Sequence, residues 1–153
     1  MIKYFLGIFI SLLFFNQSLA KDVNIKENID LTFTCSLEKK IIKNSEYNYQ
    51  TFSANDLDEK NLDKFQILSR KPETLFIKGL SSFLSDAENL NVKIVSKDVV
   101  LFKSIDEKNN YSESGIITRK TGELIHEITK NIKSENAEKY ISIYSCKKDD
   151  KKV

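Results

Sequence analysis

The chain contains two cysteines, and their placement constrains the fold more than any other feature of the sequence. Cys35 lies in "IDLTFTCSLEKK", and Cys146 lies in "KYISIYSC", the last apolar run before a charged end. The two residues are 111 positions apart, so a bond between them would join the first strand of a fold to its last. The compartment decides whether such a bond persists, because disulfides are stable in oxidising environments.

The N-terminus has the pattern of an export signal. Lys3 provides a short positive region, residues 4–15 are apolar apart from one Gly and one Ser, and Ser18 and Ala20 are small residues of the kind that a signal peptidase recognises. The apolar run would extend only about 18 Å as a helix, which is less than the roughly 30 Å of a bilayer core. We therefore predict that residues 1–20 are a cleaved signal peptide rather than a retained anchor, with no transmembrane segment after cleavage.

Composition and charge limit the possible partners. Lys, Ile, Asn and Ser are abundant, Trp is absent and there is 1 Pro, a bias typical of an AT-rich bacterial genome. The full chain has 24 basic and 22 acidic side chains, and the predicted signal carries just one of them, Lys3. The charges interleave without a basic stripe, so we do not expect nucleic acid as a partner. We predict an exported bacterial protein, periplasmic or secreted, with a single β domain at 21–146 and a charged, disordered tail at 147–153.

An exported chain with two cysteines predicts one disulfide, Cys35–Cys146. In the chain-entropy model, closing a loop of this length stabilises the fold by about 4–5 kcal/mol. The alternative is two free, buried thiols.

Alternation of apolar and polar residues predicts strands along most of the chain. Its clearest case is the run of apolar residues that share one face of the first strand: Ile29, Leu31, Phe33, Cys35 and Leu37. "EYNYQTF" is predicted as the next strand, and "LSSFLSDAENL" as a short surface helix. In "GIITRKTGELIHEIT", Gly122 fits the positive φ of a hairpin loop, although the spacing of its leucine and isoleucines leaves residues 121–132 open to a helix. About eight or nine short strands predict an all-β fold with at most one or two short helices, an antiparallel barrel or sandwich closed by one disulfide.

The early cysteine, the segment "ITRKTGEL" (Ile117 to Leu124) and the final "YSC" resemble features of small exported bacterial β-proteins of unknown function. That resemblance implies a hairpin and a disulfide but no activity. The outline is also similar to the C-type lysozyme inhibitors of the bacterial envelope, which are small barrels with a disulfide reaching the last strand. Their inhibitory loop centres on a Ser-Gly-x-x-Tyr-like segment, whereas here Ser114–Gly115 is followed by "IITR", without Tyr.

Few residues suggest chemistry. His126 is the single histidine, and we expect a surface or half-buried hairpin side chain; on a helix, it would cluster with Glu123 and Glu127 as a weak metal site. The acidic segment "DLDEKNLD" lacks the Gly and Glu of an EF-type calcium loop. The aromatic residues Tyr47, Tyr49 and Phe52 are interpreted as packing rather than as a stacking platform for a sugar or a base. We predict no catalytic residues, no metal and no cofactor.

The sequence therefore favours a non-catalytic binding module, with an envelope protein or a small apolar ligand as partner. A lysozyme-type inhibitor and a small hydrolase with paired carboxylates are the alternatives. The polar loops "DLDEKNLD" and "KNNYSESG" are predicted to carry function, because they are expected to stay flexible and unpacked. Within the second loop, the candidate binding residues are Asn109, Asn110, Tyr111 and Ser114.

Overall fold

The computed structural model describes residues 30–59, 61–71 and 74–150, so the predicted signal peptide lies outside the described residues. The strands are β1 (Asp30–Lys43), β2 (Gln50–Ser53), β3 (Leu62–Lys71), β4 (Thr74–Lys78), β5 (Asn91–Ser96), β6 (Val99–Asp106), β7 (Tyr111–Thr118), β8 (Glu123–Lys130) and β9 (Glu138–Lys148). A 3-10 turn at Ala54–Asp56 and one short helix, α1 (Ser82–Asp86), complete the fold. The all-β prediction is confirmed, and no helix of the described part is long and apolar enough to cross a membrane.

The strands form a single antiparallel sheet that curls into a nearly closed barrel. Its order is β4-β3-β1-β9-β8-β7-β6-β5, with β2 paired to the far part of β1. The two edge strands, β4 and β5, approach each other without a ladder of hydrogen bonds. Because most neighbours in the sheet are also neighbours in sequence, hairpins build nearly all of the wall from β5 to β9.

The predicted disulfide is present, and it joins the first strand to the last. Cys35 on β1 and Cys146 on β9 are direct cross-strand partners, with Cα atoms 4.0 Å apart. Both side chains are buried, as the alternation around Cys35 predicts. β9 continues to Lys148, so its last two residues lie within the tail predicted at 147–153, and the Asp149 amide donates to the Thr32 carbonyl at 2.8 Å.

Inward-facing side chains fill the barrel. Three phenylalanine rings from β1, β3 and β6 pack one against the next, with centroids 5.7 Å apart for Phe33–Phe65 and 6.3 Å apart for Phe65–Phe102. Gly115 on β7 makes room for this packing, because a Cβ there would lie 2.2 Å from the Phe102 ring. α1 adds the fully buried Leu84 to the same core.

Two predictions of local structure agree with the fold, and a third is wrong in part. Gly122 has φ 75° in the β7–β8 turn, so residues 123–130 are a strand and not the alternative helix. The predicted helix is confirmed as α1, with Ser81 as its N-cap. The strand predicted at "EYNYQTF" is wrong before Gln50, because Asn44 Oδ1 accepts from the Glu46 and Tyr47 amides and bends the chain.

Candidate functional site

The predicted functional loop around Asn109 is shorter than expected. Asn109 and Asn110 lie in the β6–β7 turn, where the Asn109 amide and Nδ2 donate to the Asp106 carboxylate at 3.0 and 2.7 Å. These hydrogen bonds lower the pKa of Asp106. Asn110 has φ 52°, and its enclosed Oδ1 has no hydrogen-bond partner among the described residues. Both asparagines therefore shape the turn.

The other two candidates lie within strand β7 and not in a loop. Tyr111 belongs to the inward-facing row of β7 and packs edge-on against Phe83 of α1, with ring centroids 4.8 Å apart. Ser114 belongs to the outward-facing row and lies opposite Lys103 of β6. The expectation that "YSESG" is flexible and unpacked is wrong, since Tyr111–Thr118 pairs with a strand on each side. The structure does not bring the four candidates together at one site.

The acidic segment also has a structural role at its start. Asp56 Oδ2 accepts from the Ser53 amide and hydroxyl at 2.9 and 2.6 Å, which lowers the pKa of this exposed carboxyl and begins the 3-10 turn. Glu59 pairs with Lys40 of β1. Tyr47 and Phe52 pack edge to face at 5.2 Å, while Tyr49 stays half exposed.

A buried polar network lies inside the barrel, and the sequence interpretation missed it. Glu113 of β7 is 1% exposed and His126 of β8 is 4% exposed, which corrects the expectation of a surface or half-buried histidine. His126 Nε2 lies 2.8 Å from Glu113 Oε2. Tyr111 donates its hydroxyl to Oε1 at 2.6 Å, and Ser81 donates to Oε2 at 2.7 Å. All three partners thus converge on one carboxylate.

The electrostatics of the network follow from these contacts. Burial raises the pKa of Glu113, but hydrogen bonds from His126, Tyr111 and Ser81 outweigh burial and leave that pKa below its ordinary value. An ionised carboxylate can only accept, so the proton in the contact with His126 lies on Nε2. Burial first, and then the bond to Glu113, raises the pKa of Tyr111, which stays a neutral donor. The network is satisfied at neutral pH.

This network stabilises the fold rather than presenting a reactive group. Both Glu113 oxygens are used by protein donors, and Ser81 also accepts from the Leu84 amide at 3.1 Å as the N-cap of α1. The carboxylate therefore connects α1 to β7 and β8. Glu113 is the single buried carboxylate of the described residues, which offer no cluster of three potential metal ligands.

The outer face of the same wall carries an apolar groove of about 770 Å³. Its floor is a cross-strand row in which Leu101 of β6 faces Ile116 of β7, and Ile116 faces Ile125 of β8. Ile143 of β9 extends the row beyond Ile125. The lining comprises Asn89, Asn91, Lys93, Leu101, Phe102, Lys103, Ser104, Ile105, Ser114, Gly115, Ile116, Ile125 and Glu127. Most of the exposed surface inside the groove is apolar.

Charged groups lie along the rim of this groove. Lys93 on β5 pairs in register with Leu101, and Lys103 on β6 pairs with Asn91, so both lysines are on the outward face beside the apolar row. Glu127, the acidic residue of the lining, is already bound to Lys139 at 3.2 Å and to the Thr129 hydroxyl at 3.0 Å. The groove therefore combines an apolar floor with a basic side at β5 and β6.

Comparison with known proteins gives no relative from which a function can be taken. No protein-family model matches the chain, and neither the curated proteins nor the solved structures contain a match.

One signal in the sequence, the β7–β8 hairpin turn, points to both of the features that were missed. A turn centred on "RKTG" pairs Thr118 with Glu123 and, further along the hairpin, Gly115 with His126. This register places His126 diagonally beside Glu113 on the inner face. The same register aligns Ile116 with Ile125 on the outer face, which is the centre of the groove floor.

Proposed function

We propose that the protein is an exported, non-catalytic binding protein that holds a small apolar ligand in the groove on the outer face of β5–β8. The observation that carries this proposal is the groove itself, with its volume of about 770 Å³ and its floor of Leu101, Ile116 and Ile125. Ligand sites in proteins typically measure about 300–1,000 Å³, are mostly apolar, and have a few polar groups that fix orientation. The groove matches this description.

The filled barrel supports an external rather than an internal site. Phe33, Phe65 and Phe102 occupy the interior together with aliphatic side chains from the other strands. On the outer face, Leu101 and Ile105 stay 37% and 39% exposed, although both are large apolar side chains of strand β6. Apolar surface that is exposed in a contiguous patch is typical of binding sites.

Export accounts for the disulfide. The Cys35–Cys146 bond fits an oxidising compartment, and the N-terminal segment has the pattern of a signal peptide. A periplasmic or secreted location therefore belongs to the proposal. The alternatives of lysozyme inhibition and carboxylate-dependent hydrolysis gain no support from the described residues, since Ser114–Gly115 lies within β7 and Glu113 has no second buried carboxylate beside it.

Fluorescence of a neutral apolar dye, N-phenyl-naphthylamine, tests the proposed site. We expect saturable enhancement with the wild-type protein and a loss of at least about fivefold in affinity for Leu101→Asn, because the substitution removes apolar contact area from the floor. Val95→Asn is the matched control, since Val95 is 56% exposed on the neighbouring strand and does not line the groove. Equal effects of the two substitutions, or no saturable binding, would overturn the proposal.

A further inference from the structure

We propose that the ligand of the groove is a single-chain amphiphile with an anionic head, and that Lys93 and Lys103 bind that head. This inference rests on the proposed function, since it names the chemical class of the molecule that the groove holds. Its evidence is separate from the apolar floor and comes from the charges on the rim.

The two lysines carry charge that the described residues leave uncompensated. Lys93 and Lys103 are exposed, and no acidic group of the described residues lies within 4.0 Å of either ammonium group. They lie on adjacent strands and are diagonal neighbours, because Lys93 pairs with Leu101 and Lys103 with Asn91. Two lysines that are diagonal neighbours on adjacent strands, beside an apolar surface, favour the binding of an anion next to them.

The one acidic residue of the lining does not cancel this field. Glu127 lies two strands away from Lys103 in the same cross-strand row, which is about 10 Å across the sheet. Its carboxylate is bound to Lys139, on the side of the groove away from the two lysines. The groove is therefore basic at β5–β6, apolar in the middle and locally neutral at β8–β9.

This polarity gives the ligand a direction. The head lies against Lys93 and Lys103, and the tail crosses Leu101, Ile116 and Ile125 towards Ile143 of β9. From β6 to β9 the row crosses three strand spacings, about 14 Å. A single extended alkyl chain of about ten carbons matches a row of this length, and the groove is open to solvent along one side.

The proposal is tested by displacing N-phenyl-naphthylamine with three ten-carbon probes, each below its aggregation concentration. The probes are decanoate, decanol and decylammonium. We expect decanoate to displace the dye at a concentration about fivefold lower than decanol, and decylammonium to be the weakest. The preference is modest because both lysines are exposed. Added salt should weaken decanoate and leave decanol unchanged, since only the charged contact is screened.

Paired substitutions locate the head. Lys93→Gln/Lys103→Gln should abolish the preference for decanoate over decanol while leaving decanol binding intact. Lys97→Gln/Lys120→Gln is the control with the same change in net charge, because these exposed lysines lie in the β5–β6 and β7–β8 turns and do not line the groove. Thermal unfolding of each variant verifies that the fold is retained.

The outcomes separate this inference from the proposed function. Equal displacement by decanoate and decanol, or a preference that survives Lys93→Gln/Lys103→Gln, overturns the anionic head while the apolar site stands. Absence of dye binding overturns both. If the protein sediments with phosphatidylglycerol vesicles and decanoate does not displace the dye, the face binds a membrane surface. If the protein forms a concentration-dependent dimer that excludes the dye, the face binds a second copy of the chain. Either result refutes the proposed ligand.

Discussion

At the scale of single residues, Glu113 is the most demanding position in the molecule. A carboxylate that is 1% exposed loses its hydration, and this cost is offset only if protein donors replace the lost water. His126, Tyr111 and Ser81 supply those donors within 2.6–2.8 Å. Glu113 and His126 thus form a buried polar pair that links β7 to β8 on the inner face.

Glu113→Gln should destabilise the protein by about 2–3 kcal/mol, because glutamine has one acceptor oxygen for three converging donors. Urea-induced unfolding at pH 7 measures the change. Glu127→Gln is the matched surface control, since Glu127 pairs with Lys139 at 3.2 Å on the outer face and should contribute less than about 1 kcal/mol. Equal losses for the two variants would contradict a special role of the buried carboxylate.

Acidification should remove the contribution of Glu113 in a defined window. Its pKa in the folded protein is below the ordinary value of 4.5, so its contribution to stability is complete above that value and is lost as the pH falls through the lowered pKa. The difference in unfolding free energy between the wild type and Glu113→Gln should therefore shrink as the pH falls below about 4.5. Asp56 and Asp106 also have lowered pKa values, but they affect both proteins alike and cancel in the difference. A difference that grows below this pH would refute the assignment.

Gly122 is the second residue whose identity is fixed by the fold. Its φ is 75°, and an added Cβ would lie 2.0 Å from the Cys146 carbonyl oxygen. The Gly122 amide donates to the Thr118 carbonyl at 2.7 Å, and its own carbonyl accepts from the Cys146 amide at 2.6 Å. Gly122→Ala should therefore cost at least about 2 kcal/mol of unfolding free energy. Lys120→Ala in the same turn should change it by less than about 0.5 kcal/mol, and comparable losses would show that backbone conformation at Gly122 is not the cause.

At the scale of elements, the bond between β1 and β9 replaces part of what a larger core would provide. The bond closes a loop over a sequence separation of 111 residues, which restricts the unfolded chain far more than a short loop would. Cys35→Ala/Cys146→Ala should lower the unfolding free energy by about 3–5 kcal/mol. Reduction of the wild type under the same conditions should give a similar loss, and an unchanged midpoint in both experiments would contradict a stabilising role for the bond.

Elements with a strong local signal were predictable from the sequence. The alternation of Phe33, Cys35 and Leu37 identifies the inner face of β1, and Gly122 identifies the β7–β8 hairpin, because each depends on a few adjacent residues. β2 was placed too early, since the side chain of Asn44 diverts the backbone over Glu46 and Tyr47. Propensity alone does not reveal that hydrogen-bonded turn.

The site was less predictable, because its members meet only through pairing between strands. "YSESG" is polar as a segment, yet Glu113 faces inward and Ser114 outward once Tyr111–Thr118 is a strand. Likewise, Ile116 and Ile125 contribute to the groove only through the hairpin register that places them opposite each other. The polarity of this segment therefore indicated a loop. In the fold the segment is a strand, because three hydrogen-bond donors allow the Glu113 carboxylate to be buried.

At the scale of the whole molecule, the inner and outer faces of the barrel carry different side chains. The inner face is filled by the aromatic packing, the disulfide and the Glu113 network. The outer face of β5–β8 keeps apolar residues exposed on strands that the inner face holds in place. Under the proposed function, a groove built on paired strands would lose less conformational entropy on ligand binding than a flexible loop would.

The last prediction concerns export and oxidation, because the Cys35–Cys146 bond is stable in an oxidising compartment. When the full-length chain is produced in a Gram-negative bacterium, we expect the folded product in the periplasmic fraction, with a mass corresponding to residues 21–153. Its cysteines should resist alkylation unless reductant is added, because they form the Cys35–Cys146 bond. Leu12→Arg/Leu13→Arg, which interrupts the apolar run of the N-terminal segment, should keep the chain in the cytoplasm at full length, with thiols that react after denaturation.

The retained variant should also be less stable than the exported protein, by about the 3–5 kcal/mol that the bond contributes, because thiols stay reduced in the cytoplasm. Two independent readouts, mass and thiol reactivity, therefore have to change together if export and oxidation are linked in this molecule. Recovery of the full-length wild-type chain in the membrane fraction would contradict cleavage. A processed product with free thiols would separate export from the disulfide and leave the stability of the barrel to its packing alone.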